Sequence, residues 1–318
     1  MEHEILAKDE AANIGNVLLA EVAQSENIDL FGKEIKQKLS LADKYLMCPT
    51  SVLNTRDPKW QDLKRKWFKL GIKSEIGRNS TTGNTKDMTE LSKRGYNSTS
   101  WSDTSNQTGI SIFDPVICEI IYKWFGKRNI LDPFAGGSVR GIVAHKLGFK
   151  YTGIELRQEQ VDSNIEQALD ILEINNQPQW YIGDSEEIVK DLIPNYDLVF
   201  SCPPYMNLEV YSDLPDDLSN MNDLKFIEKY EAIIKNTCEK LIKGGYAVFV
   251  VGDLRDKKGY QKDFTGITKT AFKNCGMKLY NELIIVTPVG SKAMTMELGF
   301  KNGKLGKVHQ NVYIFIKP

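Results

Sequence analysis

The 318-residue chain has no run of roughly eighteen consecutive apolar residues, which excludes an ordinary membrane-spanning helix. Cysteine is scarce: Cys48, Cys118, Cys202, Cys238 and Cys275 are scattered, and no two form a CxxC pair. This pattern argues against a structural zinc site and against a disulfide framework; no metal is called for, and a reducing compartment is expected. The amino end, Met1-Glu2-His3-Glu4, does not read as a signal peptide, so the expected location is the cytoplasm. Nor is there a surplus of either charge: 41 basic residues face 42 acidic ones, for a formal net charge of −1. A nucleic-acid partner would therefore have to find a local basic patch.

What is present is an alternation of helix-like and strand-like stretches after residue 115, the pattern of an α/β fold with a largely parallel sheet. Two stretches organise it. Ile130-Leu131-Asp132 reads as the end of a buried strand, and Pro133-Phe134-Ala135-Gly136-Gly137-Ser138 as a tight turn into a helix. Asp197-Leu198-Val199-Phe200-Ser201 reads as a second strand, stopped by Cys202-Pro203-Pro204-Tyr205. Two prolines at a strand's carboxyl end give a rigid backbone that cannot continue the ladder. In an open parallel sheet such strand ends are where ligands bind. Gly136 and Gly137 lack side chains, so backbone amides can approach a ligand, and the amino end of the next helix favours an anion such as a carboxylate.

The two stretches together resemble the S-adenosylmethionine-dependent DNA amino-methyltransferases, marked by a DPFxGxG-type loop and a [DNS]PP[YFW] turn. The likeness extends to Gly153-Ile154-Glu155-Leu156, to Gly183-Asp184, and to Ser111–Pro115 upstream of the first strand. Trp60–Arg78 and Cys202–Ser219 are similar to methyltransferases of bacteriophages and prophages. This resemblance implies a Rossmann-like seven-stranded sheet, mostly parallel with an antiparallel edge, in a methyltransferase domain over 109–318. Residues 1–108 would form a helical and loop segment. It also implies S-adenosylmethionine as cofactor, held by Phe113, Asp114, Asp132, Pro133, Phe134, Ala135, Gly136, Gly137, Ser138, Glu155, Leu156 and Asp184. In that scheme Glu155 accepts the ribose hydroxyls and Asp184 faces adenine. Catalysis falls to Ser201, Cys202, Pro203, Pro204 and Tyr205, with the aromatic ring stacked on a base flipped out of DNA. The chain departs from the family in three places: Ser138 replaces the third glycine, Arg140 lies close behind the loop, and Cys202 replaces Asp, Asn or Ser.

A thiol is a weak acceptor, so Ser201 is an alternative source of the hydrogen-bonding group. Attack by a Cys202 thiolate, as in carbon-5 methylation, is a further reading. Cytosine N4 and adenine N6 both remain open as targets. Competing readings are an RNA or protein amino-methyltransferase of the same fold, and a DNA-binding protein that has lost turnover. The sequence leaves the oligomeric state, monomer or homodimer, open, and nothing in it supports a homodimer.

The local basic patch is Arg56–Arg78, with eight basic residues against three acidic ones. Lys64, Arg65, Lys66 and Lys69 are its expected phosphate contacts, interleaved with Trp60, Trp67 and Phe68. Residues 1–47 read as two helices and 79–108 as a long polar loop. Asn207–Met221 is acidic through Glu209, Asp213, Asp216 and Asp217, and its Leu208 and Tyr211 are candidate flanks for a flipped base. Tyr246–Val251 reads as a central strand, and Tyr280–Thr287 with Val308–Ile316 as a closing pair. Gly290–Gly306 reads as a basic, glycine-rich loop. Asp197 is expected to be structural, and His309 structural or phosphate-facing.

Overall fold

Every residue of strand β5 (Tyr196–Ser201) is buried, as in a strand covered on both faces. It pairs in parallel with β2 (Asn129–Asp132) on one side and with β6 (Leu241–Val251) on the other; Leu198 lies opposite Ile130 and Val199 opposite Leu131. Beyond β2 come β3 (Lys150–Glu155) and β4 (Gln179–Ile182), also parallel. Beyond β6 lie β8 (His309–Ile316), antiparallel to both its neighbours, then β7 (Lys278–Val286) and finally β1 (Val52–Asn54). The order β1-β7-β8-β6-β5-β2-β3-β4 is the mostly parallel Rossmann-like sheet expected, with an eighth strand added at the β7 edge. At three residues, β1 is too short to leave an alternating pattern in the sequence.

These features belong to a computed structural model that describes residues 40–72, 113–175, 177–206, 212, 214–256, 258–289 and 293–318. The helices expected before residue 40, the loop at 79–108, and Leu208, Glu209, Tyr211 and Asp213 lie outside the described residues. The chain divides into two units, 1–48 and 49–318. The first contributes the one-turn helix α1 (Leu41–Lys44), capped by Ser40. The second takes in β1 and helix α2 (Pro58–Phe68), which the sequence reading places in an amino-terminal segment ending at 108. Both are drawn in by long-range pairing, β1 with β7 and α2 with helix α3 (Pro115–Phe125). Among the described residues no helix is long and apolar enough to cross a membrane.

Helix α3 starts as its sequence dictates, with Asp114 accepting from the Val116 amide and Pro115 in the first turn. The remaining helices alternate with strands: α4 (Val139–Lys146), α5 (Gln158–Ile171), α6 (Ser185–Asp191), α7 (Asp223–Lys240), α8 (Phe264–Asn274) and α9 (Ala293–Phe300). The last of these occupies a stretch read from sequence as loop. Chain order reverses between β2 and β5, which opens a crevice at their carboxyl ends.

An aromatic cluster closes the core on the α7/α8 face. Phe226 stacks on Tyr230 with ring centroids 5.6 Å apart, and Phe272 stacks on Phe315 at 4.3 Å. Phe134 of the glycine corner packs against Tyr230 at 5.8 Å and Phe249 at 6.3 Å, so the corner is rooted in the core. At the opposite rim Asp197 accepts three backbone amides, from Lys127 (2.6 Å), Arg128 (2.8 Å) and Asn129 (2.7 Å). It is 4% exposed and ties the entry of β2 to β5, the structural role its sequence position indicated. Removing three hydrogen bonds to a charged acceptor should destabilise the fold by about 2 kcal/mol or more. Asp197→Ala is therefore expected to lower the urea unfolding midpoint strongly, while Asp197→Asn, which keeps part of the set, lowers it less.

Candidate active site

The glycine corner after β2 and the proline turn after β5 stand side by side, because their strands are parallel neighbours. Both line one cleft of about 280 Å³. Of the residues expected there, Phe113, Pro133, Phe134, Gly136, Glu155, Leu156, Asp184, Cys202, Pro203, Pro204 and Tyr205 line it. Asp114, Asp132, Ala135, Gly137, Ser138 and Ser201 do not.

The reason in most of these cases is an internal partner. Asp132 is fully buried and surrounded by donors: Tyr151 Oη at 2.8 Å, Ser201 Oγ at 2.6 Å, the Phe134 amide at 3.2 Å and Arg140 Nε at 2.5 Å. The Ser201 hydroxyl is therefore committed to Asp132 and faces away from the cleft. Ser138 makes no capping bond to α4 and donates instead to Gln167 Oε1 at 3.1 Å. Asp114 caps α3 and accepts from Trp60 Nε1 (3.2 Å) and Lys64 Nζ (2.9 Å) on α2.

Arg140, which departed from the family pattern, proves central. It is 5% exposed, and its Nη2 donates to the Phe134 and Ala135 carbonyls, each at 2.7 Å, while its guanidinium lies 4.6 Å from the Phe113 ring centroid. Burial works most strongly against its charge, but the Asp132 carboxylate together with Tyr151 and Cys202 outweighs burial and holds the pKa of the guanidinium above its ordinary value. Burial, followed by the Asp132 charge, pushes the Tyr151 phenol up, so it remains a donor.

The glycine corner is also held from α5, through residues the sequence reading passed over. Arg157 Nη2 donates to Gln160, Gln160 to Asn164, and Asn164 Nδ2 to the Gly136 carbonyl at 2.7 Å. Gln160, Ser163, Asn164 and Gln167 are all buried, a polar stripe at helical spacing that is visible in the sequence once the helix is placed. Gly136 itself has a φ of 51°, a conformation few side chains tolerate.

Two acids mark the far end. Glu155 accepts from the Gly136 amide (3.0 Å) and from the backbone and side chain of Arg157 (3.1 and 3.2 Å). Asp184 caps α6 and receives Lys229 Nζ from α7 at 2.5 Å; Lys229 also reaches Asp216 at 3.3 Å. Burial opposes the charge on Lys229, but the hydrogen bonds and charges of Asp184 and Asp216 together outweigh it and its pKa is raised. Ser185 donates to the Pro133 carbonyl, joining α6 to the glycine corner.

At the near end, Cys202 Sγ lies 3.8 Å from Tyr205 Oη, and Gln310 Nε2 of β8 donates to the same hydroxyl at 3.3 Å. The Tyr205 ring meets Phe264 edge-on at 6.0 Å. Met206, buried behind the turn, takes a φ of 49°, a sparsely populated conformation for a residue with a side chain. A side chain at Gly252 would press on Lys307 Nζ at 3.3 Å and come into ordinary contact with the Tyr205 ring at 3.9 Å.

The basic patch falls on α2. Arg65, Lys66 and Lys69 are exposed, whereas Lys64 is engaged by Asp114. Trp60 and Trp67 are buried, donating to Asp114 and to Glu119 (2.7 Å); they dock α2 on α3 and are not placed to stack on bases.

Removing one member of the Asp132–Arg140 pair strands a buried charge, at a cost of about 3–5 kcal/mol. Arg140→Gln is expected to lose that much stability in chemical denaturation. Adding Asp132→Asn should restore part of it, and the double-mutant cycle reports the coupling.

No protein-family model matches the chain, and no curated protein matches it in sequence. Among solved structures it is similar to TrmN from Thermus thermophilus, with 14% identity over 65% of this chain and 49% of that one and a TM-score of 0.45. It is similar to the magnesium protoporphyrin IX methyltransferase ChlM of Synechocystis PCC 6803 with bound SAM, at 13% identity over 64% of this chain and 79% of that one (TM-score 0.41). A third likeness is to a second Thermus thermophilus protein, provisionally described as a DNA modification methylase, at 16% identity over 42% of this chain and 50% of that one (TM-score 0.33). The chain thus spans about half the length of the first and the third. The functional reading rests on the sheet and the cleft, to which these distant likenesses add nothing.

Proposed function

We propose that the chain is an S-adenosylmethionine-dependent methyltransferase acting on an exocyclic amine, cytosine N4 or adenine N6, of a base flipped out of DNA. The observation that carries this reading is the meeting of the glycine corner and the Cys202–Tyr205 turn across one cleft at the point where strand order reverses.

The lining suits the cofactor in its chemistry. Gly136 presents backbone without a side chain, Glu155 offers carboxylate lone pairs to ribose hydroxyls, and Asp184 is positioned for an adenine amine. Ile154 and Leu156 supply apolar surface for the rings. Bound there, S-adenosylmethionine supplies a methyl group activated by a positively charged sulfur.

An exocyclic amine is a poor nucleophile because its lone pair is conjugated with the ring. The protein's part is to hold the amine and aim it, and positioning can supply most of the rate. The Pro203-Pro204 backbone is rigid enough to do so. Cys202 occupies the acceptor position, since Ser201 is bound to Asp132. Tyr205, its hydroxyl held by Gln310, offers a fixed ring for a base to stack on. Support for a DNA partner comes from Arg65, Lys66 and Lys69 on α2, a helix whose Lys64 contacts Asp114, the neighbour of cleft residue Phe113.

Transfer of labelled methyl from S-adenosylmethionine to duplex DNA, with RNA in parallel, tests the reading; transfer to RNA alone would redirect it. Tyr205→Ala is expected to lower DNA methylation about tenfold to a hundredfold, the worth of one stacking contact, with cofactor affinity nearly unchanged in calorimetry. Changing Arg65, Lys66 and Lys69 to Gln should weaken DNA binding and reduce the slope of log affinity against log salt by about 2 to 3.

A further inference from the structure

We infer that Arg140 is the residue that reads the carboxylate of the methionine portion of the cofactor, an inference that rests on the cofactor assignment proposed above. Nothing in the DPFxGxG-type pattern supplies an arginine at this place, so the assignment comes from the geometry.

Arg140 sits in the first turn of α4, where backbone amides and the helix dipole favour an anion. Its side chain is buried, at 5% exposure, yet it lines the cleft. Nε is taken by Asp132 and Nη2 by the carbonyls of Phe134 and Ala135. Nη1 has no hydrogen-bond partner among the described residues, although it is not sealed away from the cleft. A guanidinium carries five N–H donors; three of these are used, and the two on Nη1 are left over. Its orientation is locked from three sides, with the Phe113 ring against its face at 4.6 Å. A donor fixed in this way suits a single charge-assisted hydrogen bond to a carboxylate oxygen.

The charge pattern of the cleft points the same way. The other cations lining it are already engaged: Arg157 by Glu155 and Gln160, Lys229 by Asp184 and Asp216. The acids Glu155 and Asp184 stand at the ends of β3 and β4, where they disfavour an anion and suit hydroxyls and amines. A ligand that carries a nucleoside at one end and a carboxylate at the other therefore has one orientation that satisfies both ends. Asp132 balances the charge of Arg140 but does not compete for its Nη1 donors, because it holds Nε and does not line the cleft.

The test is calorimetry with two probes that differ only in this group, S-adenosylmethionine and decarboxylated S-adenosylmethionine, at low salt. The full chain should bind the decarboxylated compound at least tenfold more weakly, as loss of a charge-assisted contact requires. In the Asp132→Asn/Arg140→Gln double variant, which keeps the site neutral, the two affinities should agree within about threefold. If that variant does not fold, Arg140→Lys carries the same comparison and should show a reduced ratio. Equal affinities in the unaltered chain would overturn the role of Arg140 and leave the methyltransferase reading intact. An undiminished ratio in the variants would assign the carboxylate to another group and overturn it as well. Failure of the unaltered chain to bind S-adenosylmethionine at all would overturn both.

Discussion

One buried carboxylate holds the working end of this molecule together. Asp132 stands at the carboxyl end of β2 and takes donors from β3 through Tyr151, from β5 through Ser201, from α4 through Arg140, and from its own turn through the Phe134 amide. An uncompensated charge in that position would be prohibitive, so all four partners must be in place when the chain is folded. Their positions are the positions of the two corners. The glycine corner cannot shift without breaking the Arg140 and Phe134 contacts, and the strand that delivers the proline turn cannot slide without losing Ser201.

A second constraint acts from below and behind. The polar stripe of α5 ends on the Gly136 carbonyl, and Ser185 of α6 ends on the Pro133 carbonyl. Loop carbonyls that would otherwise require water are thus satisfied by protein, which lets a glycine-rich loop be both bare of side chains and fixed in shape. Phe134 adds an apolar anchor through Tyr230 and Phe249. The result is a preorganised cleft, the condition under which positioned groups are worth most.

The carboxylates divide by location. Asp132 and Asp197 serve structure at opposite ends of the central strand pair, and both are buried and saturated. Glu155 and Asp184 face the cleft, and each is steadied by a cation, Arg157 and Lys229 respectively. The first pair sets the frame and the second pair lines the cleft. The basic face of α2 stands apart from both, its exposed Lys66 and Lys69 left to solvent or to a partner and its Arg65 paired with Asp62, while its tryptophans serve as fasteners to α3.

Much of this was legible from the chain alone. Apolar runs that stop at Pro133 or Pro203 mark strand ends by local chemistry, and helix–strand alternation implies a parallel sheet. The Asp114-Pro115 start of α3 and the structural role of Asp197 likewise follow from sequence position. What sequence could not assign was the direction in which each polar side chain makes its hydrogen bonds. Asp132, Ser201 and Asp114 look like site residues because they sit in the motifs, yet Ser201 bonds to Asp132 across 69 positions and Lys64 to Asp114 across 50. Arg140 looks like a disturbance of the loop and is its brace. Local pattern determines where the chain turns and which elements form, because φ/ψ preference and apolar periodicity act over a few residues. Which donor meets which acceptor was decided only when distant strands came into register, since a buried polar atom must take whatever partner the packed sheet brings to it.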